Sequence, residues 1–279
     1  MTTDADRDNW PDGMNIVNGH LAESIRGQGM IQPPNTFGYV HLAAEVERPH
    51  PLKPNSLHKK ALLASLRNAA DDLRKTFPDM VRRADLFDAF VIPPGSAEGR
   101  AVIEKSGYDV HVAAFDVVLL LECANPDAAQ AVRGSPEFGA IEEMLRDASM
   151  HTHCFAGRNA KRIAEVDRDR NGIFLFNYFY AADIDAKGAK GTEILLAVWE
   201  YTAGWWTKKA NLDNSTPLRP LDGETSDYSL INHCRWDRLI DILPHLIFRP
   251  TLKQFVLANF TANDIMAMPI LYRLAKTKG

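Results

Sequence analysis

The chain has 279 residues, 46% of them hydrophobic and 24% charged, with a net charge of −4 at pH 7. This length and composition are typical of one large or two modest packed domains and exclude disorder of the whole chain. Acidic and basic residues are interspersed, so no basic face for a phosphate backbone is present and nucleic acid is not expected as a partner. The longest apolar stretch, around Val117 to Leu121, is far shorter than the roughly 20 residues that span a bilayer, so no membrane is expected either.

The chain begins with acidic and polar residues, where a secretory signal has a basic segment and an apolar core, and we therefore expect a cytoplasmic protein. Cys123, Cys154 and Cys234 are odd in number, widely spaced and placed within apolar strand patterns. We interpret them as buried free thiols in a reducing compartment. Residues 1–35 are rich in Pro and Gly, which predicts an extension along the surface.

Strand and helix patterns alternate in the next part of the chain. Apolar residues recur with period two after Phe37, and Ser56 or its neighbour Asn55 then caps a helix with one apolar stripe. A cap followed by Pro126 begins a second helix. The predicted strands are Phe37–Val46, Asp85–Ile92, Val110–Leu121 and Met150–Phe155; the helices are 57–77 and 126–146, the latter with a break near Gly134.

A segment rich in charges of both signs, Arg158–Arg170, follows and predicts a solvated connector. The same kinds of pattern then recur, beginning with an unusually aromatic strand. Pro269 lies in the last strand, where an edge position tolerates it best. The predicted strands are Ile173–Tyr180, Thr216–Leu221, Tyr228–Arg235 and Ile265–Arg273; the helices are Glu193–Lys209 and Asp237–Asn259, the latter interrupted by Pro244 and Pro250.

Both halves therefore show the order strand, helix, strand, strand, helix, strand. This is the ferredoxin-like βαββαβ unit, an α+β fold whose antiparallel sheet has helices on one face only. We expect two such domains, residues 36–157 and 172–279, after an extension at 1–35 and joined by a connector at 158–171. The expected strand order is 4-1-3-2 in each sheet, and the second copy supplies the partner that the uncovered face of the first one needs.

Residues 116–145, DVVLLLECANPDAAQAVRGSPEFGAIEEML, add a resemblance to a known superfamily. A strand, a cap with proline and a helix broken at Ser135, Pro136, Glu137 and Phe138 are similar to the third strand and second helix of the dimeric α+β barrel superfamily, which includes antibiotic-biosynthesis-type monooxygenases. The resemblance implies that the two copies form a pseudo-dimeric barrel, with a pocket between sheet and helices or loops. Its members include cofactor-free monooxygenases, lactone isomerases, haem-degrading enzymes and chlorite dismutase-like haem proteins, so the fold fixes no single chemistry.

The haem-degrading members use an Asn, a Trp and a His, and this chain departs from that pattern. The first copy has Val132 and Glu142 near the Trp and His places. The second copy offers Asn177, Trp236 and His245 in a loosely similar order, with a proline directly before the histidine. We therefore do not carry the haem-degrading mechanism over to this chain.

Three histidines of the first copy fall on strands that the expected topology makes neighbours: His41, His111 and His153, with His151 close to the last. His41 alternates with Val40 and therefore points away from the helices. Imidazoles on adjacent strands suit a first-row metal or a proton-handling pocket. Three interpretations stay open: a metal site at His41, His111 and His153, a catalytic or ligand-binding histidine without metal, and structural residues at strand ends.

The second copy offers candidate catalytic residues on three strands. A histidine with Arg and Tyr nearby can deprotonate an activated phenol or enol and hold the resulting oxyanion. His233, or His153 of the first copy, is the candidate base. Arg273, Asn232 and Tyr178 are the candidate groups that stabilise negative charge. A structural role for these histidines remains the alternative.

The sequence thus favours an enzyme that abstracts a proton from a small apolar substrate, aromatic or lactone-like, as a cofactor-free monooxygenase or an isomerase or lyase. Aromatic residues are frequent in the second half, which suits a ring-shaped ligand and a plain core equally. Phosphate-binding glycine motifs and a GxSxG elbow are absent. We expect no cofactor; a haem or first-row metal protein and a non-catalytic ligand-binding module are the alternatives, and a homodimer stays open.

Overall fold

The structure is a computed structural model that describes residues 10–22, 31–93, 107, 110–181, 189–248 and 250–275. Its strands form one closed barrel. The strands are β1 Gly38–Glu45, β2 Val81–Val91, β3 Val117–Cys123, β4 His151–Asn159, β5 Ile173–Ala181, β6 Thr216–Pro220, β7 Leu230–Trp236 and β8 Ile265–Leu274. Their order around the barrel is β1-β3-β2-β8-β5-β7-β6-β4.

Helices cover the outside of the barrel, and side chains cap three of their N-termini as the sequence predicts. Ser56, Asn125 and Ser135 each accept a hydrogen bond from a backbone N–H three residues later. The α-helices are α1 Leu57–Thr76, α2 Pro126–Arg133, α3 Pro136–Asp147, α4 Ala189–Ala210, α5 Leu243–Phe248 and α6 Ala258–Ala262; a π-helix spans Leu252–Leu257, and short 3₁₀ turns lie at Gly19–Leu21 and Leu239–Asp241.

Each half of the barrel has the predicted 4-1-3-2 strand order. The first half runs β4-β1-β3-β2 and the second runs β6-β7-β5-β8. The halves join at both edges, where β2 pairs with β8 and β4 pairs with β6. Pro269 lies opposite Asn177 of β5, outside the part of β8, Leu271–Leu274, that pairs with β2. Its missing N–H therefore costs no hydrogen bond to β2. The closed barrel confirms the prediction of an α+β barrel.

Several predicted bounds differ from the structure, and two of the differences have a clear physical cause. The third strand begins at Val117 instead of Val110. The backbone of Asp116 still bonds to Ala44 and Ala89 on the neighbouring strands, and its carboxylate accepts the N–H groups of Val46 and Glu47 at the end of β1. In the connector, Arg168 is only 7% exposed instead of solvated. It forms an ion pair with the buried Glu122, since a buried carboxylate needs a cation.

The barrel interior is packed with aromatic rings. An eight-stranded barrel is just wide enough for its own side chains, so its interior is a core rather than a channel. The three cysteines are free; Cys123 and Cys234 are buried and Cys154 is partly buried. None of the described helices combines the length and apolar character needed to cross a membrane. The interior rings include Tyr39, Phe87, Phe115, Phe155, Phe174, Phe176, Tyr178, Tyr228 and Tyr272.

Candidate functional site

A cavity of about 1440 Å³ lies outside the barrel, between the second half of the sheet and its helices. Strands β5, β7 and β8 form one wall, and α4, the π-helix and α6 form the opposite one. The cavity also reaches the loops at one end of the barrel, residues 47–51 and 112–114. Small-molecule sites usually occupy roughly 300–1,000 Å³, so this cavity has room for a ligand of several fused rings.

Side-chain size explains why the cavity lies in the second half. On the outer face of the first half, Val40, Leu42, Leu119 and Leu121 are fully buried against helices. The corresponding face of the second half mixes large side chains, such as Leu175 and Phe179, with smaller or polar residues that leave space beside the helices. The smaller or polar residues that line the cavity are Asn177, Asn232, Cys234, Ala267 and Pro269.

Two amides face each other across the strand wall of the cavity. Asn177 of β5 lies directly opposite Asn232 of β7 in the strand register. Ser215 donates its hydroxyl hydrogen to Oδ1 of Asn232 at 2.7 Å, which leaves the Nδ2 hydrogens of that amide for another partner. Among the described residues, Oδ1 of Asn177 is buried and has no hydrogen-bond partner. We call these two residues the amide pair; it is the polar feature of an otherwise apolar wall.

A carboxylate lies where the cavity meets the end of the barrel. Oε1 of Glu45, a cavity residue, accepts hydrogen bonds from Nε2 of His111 at 2.6 Å and from the N–H of Ala114 at 2.9 Å. Because an ionised carboxylate only accepts, His111 carries its hydrogen on Nε2. The His111 ring stacks on His151 with 3.7 Å between centroids. Sequence reasoning did not identify Glu45, although an acidic residue at the end of the inward face of β1 was an available signal.

Three of the predicted catalytic residues lie inside the barrel instead of in the cavity. His233 and Tyr178 are 2% and 0% exposed, and His233 stacks on Phe176 with 4.3 Å between ring centroids. Burial lowers the pKa of His233 well below its usual value, and burial, with His151 and His111 nearby, lowers the pKa of His153 to about 3. These histidines are neutral core residues, and Tyr178 is packed against His41 among them.

The other two predicted catalytic residues point outward. Asn232 lines the cavity as half of the amide pair, whereas Arg273 is exposed, with its guanidinium 4.4 Å from the centre of the Phe90 ring. The predicted set is therefore divided between two faces of the sheet, because neighbours such as Asn232 and His233 point in opposite directions on a strand. The structure does not bring it together as one site.

The predicted metal ligands do not converge either. The His41 and His153 rings are 6.2 Å apart inside the barrel, and His111 lies ahead of β3, bound to Glu45. In the described part of the chain, no group of three or more His, Cys, Asp or Glu residues is arranged to hold a metal ion. His41, His111 and His153 thus do not meet at one point, because residue 111 lies ahead of the third strand and not within it.

The cavity walls do not fit a haem held by a helix histidine. Among the described residues that line the cavity, the single histidine is His50, which is exposed on a loop and whose Nδ1 accepts the N–H of Leu52. His245 of α5 instead packs edge-on against Trp205, 6.0 Å between centroids. Asn177 and Trp236 do line the cavity, but the histidine that would complete the haem-degrading set is not beside them.

Comparison with known proteins supports the fold. No protein-family model and no curated protein sequence matches the chain. Among solved structures, an anthrone oxidase-like protein is similar, with a TM-score of 0.58 over 88% of this chain and 94% of that chain, at 9% identity. The chain has the dimeric α+β barrel fold. An identity this low shows the fold alone.

A second similar structure, a mutant chlorite dismutase from Candidatus Nitrospira defluvii, has a TM-score of 0.48 over 87% of this chain and 93% of that chain, at 10% identity. A TM-score at this level is too low for any inference about chemistry. The candidate site is therefore assigned from the geometry of this chain alone. It is the cavity on the helix side of the second half of the barrel.

Proposed function

We propose that this dimeric α+β barrel is a small-molecule enzyme that binds an apolar aromatic ketone or phenol in its cavity and oxidises it through an enolate, with dioxygen as the oxidant. The observation that carries the proposal is the amide pair, Asn177 and Asn232, in the wall of a large apolar cavity. An anthrone oxidase-like protein shares the fold, and its name suggests the class of substrate to test first.

The cavity walls suit a flat, ring-shaped body. Trp199 and Trp206 of α4, Phe179 of β5 and Phe260 of α6 line it. Large aromatic side chains bury ring systems well and favour edge-on or offset contacts with them. A ligand of fused rings would thus displace water from this space and bring its polar substituent against the amide pair.

The amide pair supplies donors for an oxygen atom that becomes negative. Oδ1 of Asn232 is held by Ser215, which leaves its Nδ2 group for the ligand, and the Asn177 amide lies directly opposite in the cavity wall. Donors fixed in a water-poor site stabilise a developing oxyanion strongly, because they need not reorganise during the reaction. An enolate or phenolate oxygen is therefore the species that these residues fit.

The proposed reaction balances without a resident cofactor. A methylene next to the ring system loses a proton, and the electron pair left behind forms the enolate. Dioxygen then oxidises the carbon: one oxygen atom becomes the new carbonyl oxygen, and the other leaves as water with both methylene hydrogens. Without oxidation the same proton abstraction, followed by reprotonation elsewhere, would be an isomerase reaction.

Anthrone is a suitable probe. We expect the wild-type protein to bind it, to consume dioxygen and to form the quinone, which is followed with an oxygen electrode and by absorbance. Asn177→Leu and Asn232→Leu keep the side-chain size but remove the donors, and we expect kcat/KM to fall by about 10²-fold in each. Gln130→Leu, on the exposed face of α2, is the matched amide control.

Other outcomes separate the alternatives. Anthrone binding without oxygen consumption would favour a ligand-binding module. A purified protein with a haem absorption band or stoichiometric metal, whose activity is lost when the group is removed, would favour the haem or metal alternative. Equal kcat/KM in the wild type and both leucine variants would refute the role of the amide pair.

A further inference from the structure

We infer that Glu45 is the proton acceptor of this cavity and that His111 positions it, an inference that rests on the proposed function. Glu45 lines the cavity at the barrel end, where its side chain is 13% exposed. A base must lie within reach of the proton that it removes, so location in the cavity is the first requirement. Neither His233 nor His153, the histidines predicted as bases, lines this cavity.

The hydrogen bonds of Glu45 leave one oxygen atom ready to accept a proton. Nε2 of His111 and the N–H of Ala114 both donate to Oε1. Within the described residues Oε2 accepts no hydrogen bond. The carboxylate is therefore held in one orientation through Oε1, while the lone pairs of Oε2 remain for a substrate proton. A base held by a third group in this way is a recurrent arrangement in catalytic sites.

His111 is itself held in place. Its ring stacks on His151, and its backbone C=O accepts the hydroxyl hydrogen of Tyr228 at 3.0 Å. His111 does not line the cavity among the described residues, so it acts through Glu45 as a positioning residue. Its Nε2 hydrogen stays directed at Oε1 while Oε2 takes up the proton.

The other carboxylate of the cavity and its loop histidine are less suited as bases. Glu47 lies further along the loop, and its Oε1 accepts only the N–H of Ser56, at 3.3 Å, among the bonds of the described chain. His50 is exposed, and its Nδ1 is occupied by the N–H of Leu52. Neither has a side chain that orients it.

The step assigned to Glu45 is a single proton transfer. The methylene C–H bond of the substrate breaks, its proton goes to Oε2, and its electron pair moves into the ring system to give the enolate. Glu45 becomes a neutral carboxylic acid and the enolate carries the charge. No electron leaves the substrate in this step, so it can be observed without oxygen.

The test is exchange of the anthrone methylene protons with deuterated water under anaerobic conditions, followed by NMR. We expect Glu45→Gln to slow protein-catalysed exchange by about 10²-fold or more, while anthrone affinity, measured by quenching of tryptophan fluorescence, changes less than about threefold. Glu143→Gln, an exposed carboxylate of α3, is the control and should match the wild type. His111→Phe should lose much of the rate, and His111→Gln, which can still donate to Oε1, should regain it.

The outcomes distinguish two failures. If the wild type neither binds anthrone nor exchanges its protons, the proposed function fails. If the wild type exchanges and Glu45→Gln exchanges equally fast, or if Glu47→Gln abolishes exchange while Glu45→Gln does not, the assignment of Glu45 is overturned and the proposed function stands. Equal rates in His111→Phe and His111→Gln would remove the positioning role of His111.

Discussion

Acidification should destabilise this barrel through histidines that are buried in the neutral form, and His153 allows the size to be worked out. Its pKa is about 3 in the folded protein because of burial and neighbouring positive charge, against roughly 6.5 in an unfolded chain. The unfolded state therefore binds a proton first. The stability contributed by the neutral ring is complete above about pH 6.5 and is lost progressively as the pH falls toward 3.

Between about pH 7 and pH 5 this linkage amounts to about 2 kcal/mol for His153 alone, since each pH unit below 6.5 costs about 1.4 kcal/mol. Whole domains are stable by about 5–15 kcal/mol, so the loss is a large share. His41 and His233, whose pKa values burial also lowers, add to it in the same direction.

The assay is urea denaturation at both pH values for the wild type and for His153→Gln. Glutamine does not titrate but can still bond to Oγ of Ser226, the 2.9 Å partner of the histidine Nε2. We expect the free energy of unfolding of the wild type to fall by about 2 kcal/mol more than that of the variant over this pH range. An identical fall in the two proteins would refute the reasoning, because the proton uptake would then belong to other groups.

Two further predictions concern buried polar contacts. The fully buried Nζ of Lys59 lies 2.7 Å from Oδ2 of Asp116 and 2.8 Å from Oδ1 of Asp88. Lys59→Met leaves these carboxylates without their cation, so it should lower the free energy of unfolding by about 3–5 kcal/mol in urea titrations. A change below about 1 kcal/mol would contradict this. The side chain of Asn259 bonds to both the N–H and the C=O of Val17. Asn259→Leu should therefore abolish the hydrogen-exchange protection of the Val17 amide, and unchanged protection there would count against the contact.

Period-two alternation predicted the faces of the strands correctly because it is a local property of an extended chain. Val40 packs against the helices and His41 points inward, as expected. The same pattern cannot say which face has room for a ligand. That depends on the closure of the barrel and on the size of side chains brought together from distant strands, so the pattern does not reveal that His233 and His153 lie in the packed interior and not in the large cavity.

The predicted strand that includes His111 shows a second limit. Its apolar run from Val110 to Leu121 indicates one long strand, but it contains Asp116, a residue disfavoured in strand interiors. Its carboxylate binds the backbone at the end of β1. Asp116 alone is a local signal that the strand stops before His111. The hydrogen bond between His111 and Glu45 joins residues 66 positions apart, so a local pattern cannot predict it.

The geometry of the barrel explains why its two halves are unequal. Closure of eight strands fills the interior with rings, so a ligand of several rings can lie only outside, between sheet and helices. In the first half that layer is closed by Leu42 and Leu119, whereas in the second half Asn177, Ala267 and Pro269 leave it open. Because the strand order is the same in both halves, the cavity reflects the side chains on this face together with the different helices that cover it. The first half contributes instead through its ends, where Glu45 reaches the cavity that the second half encloses.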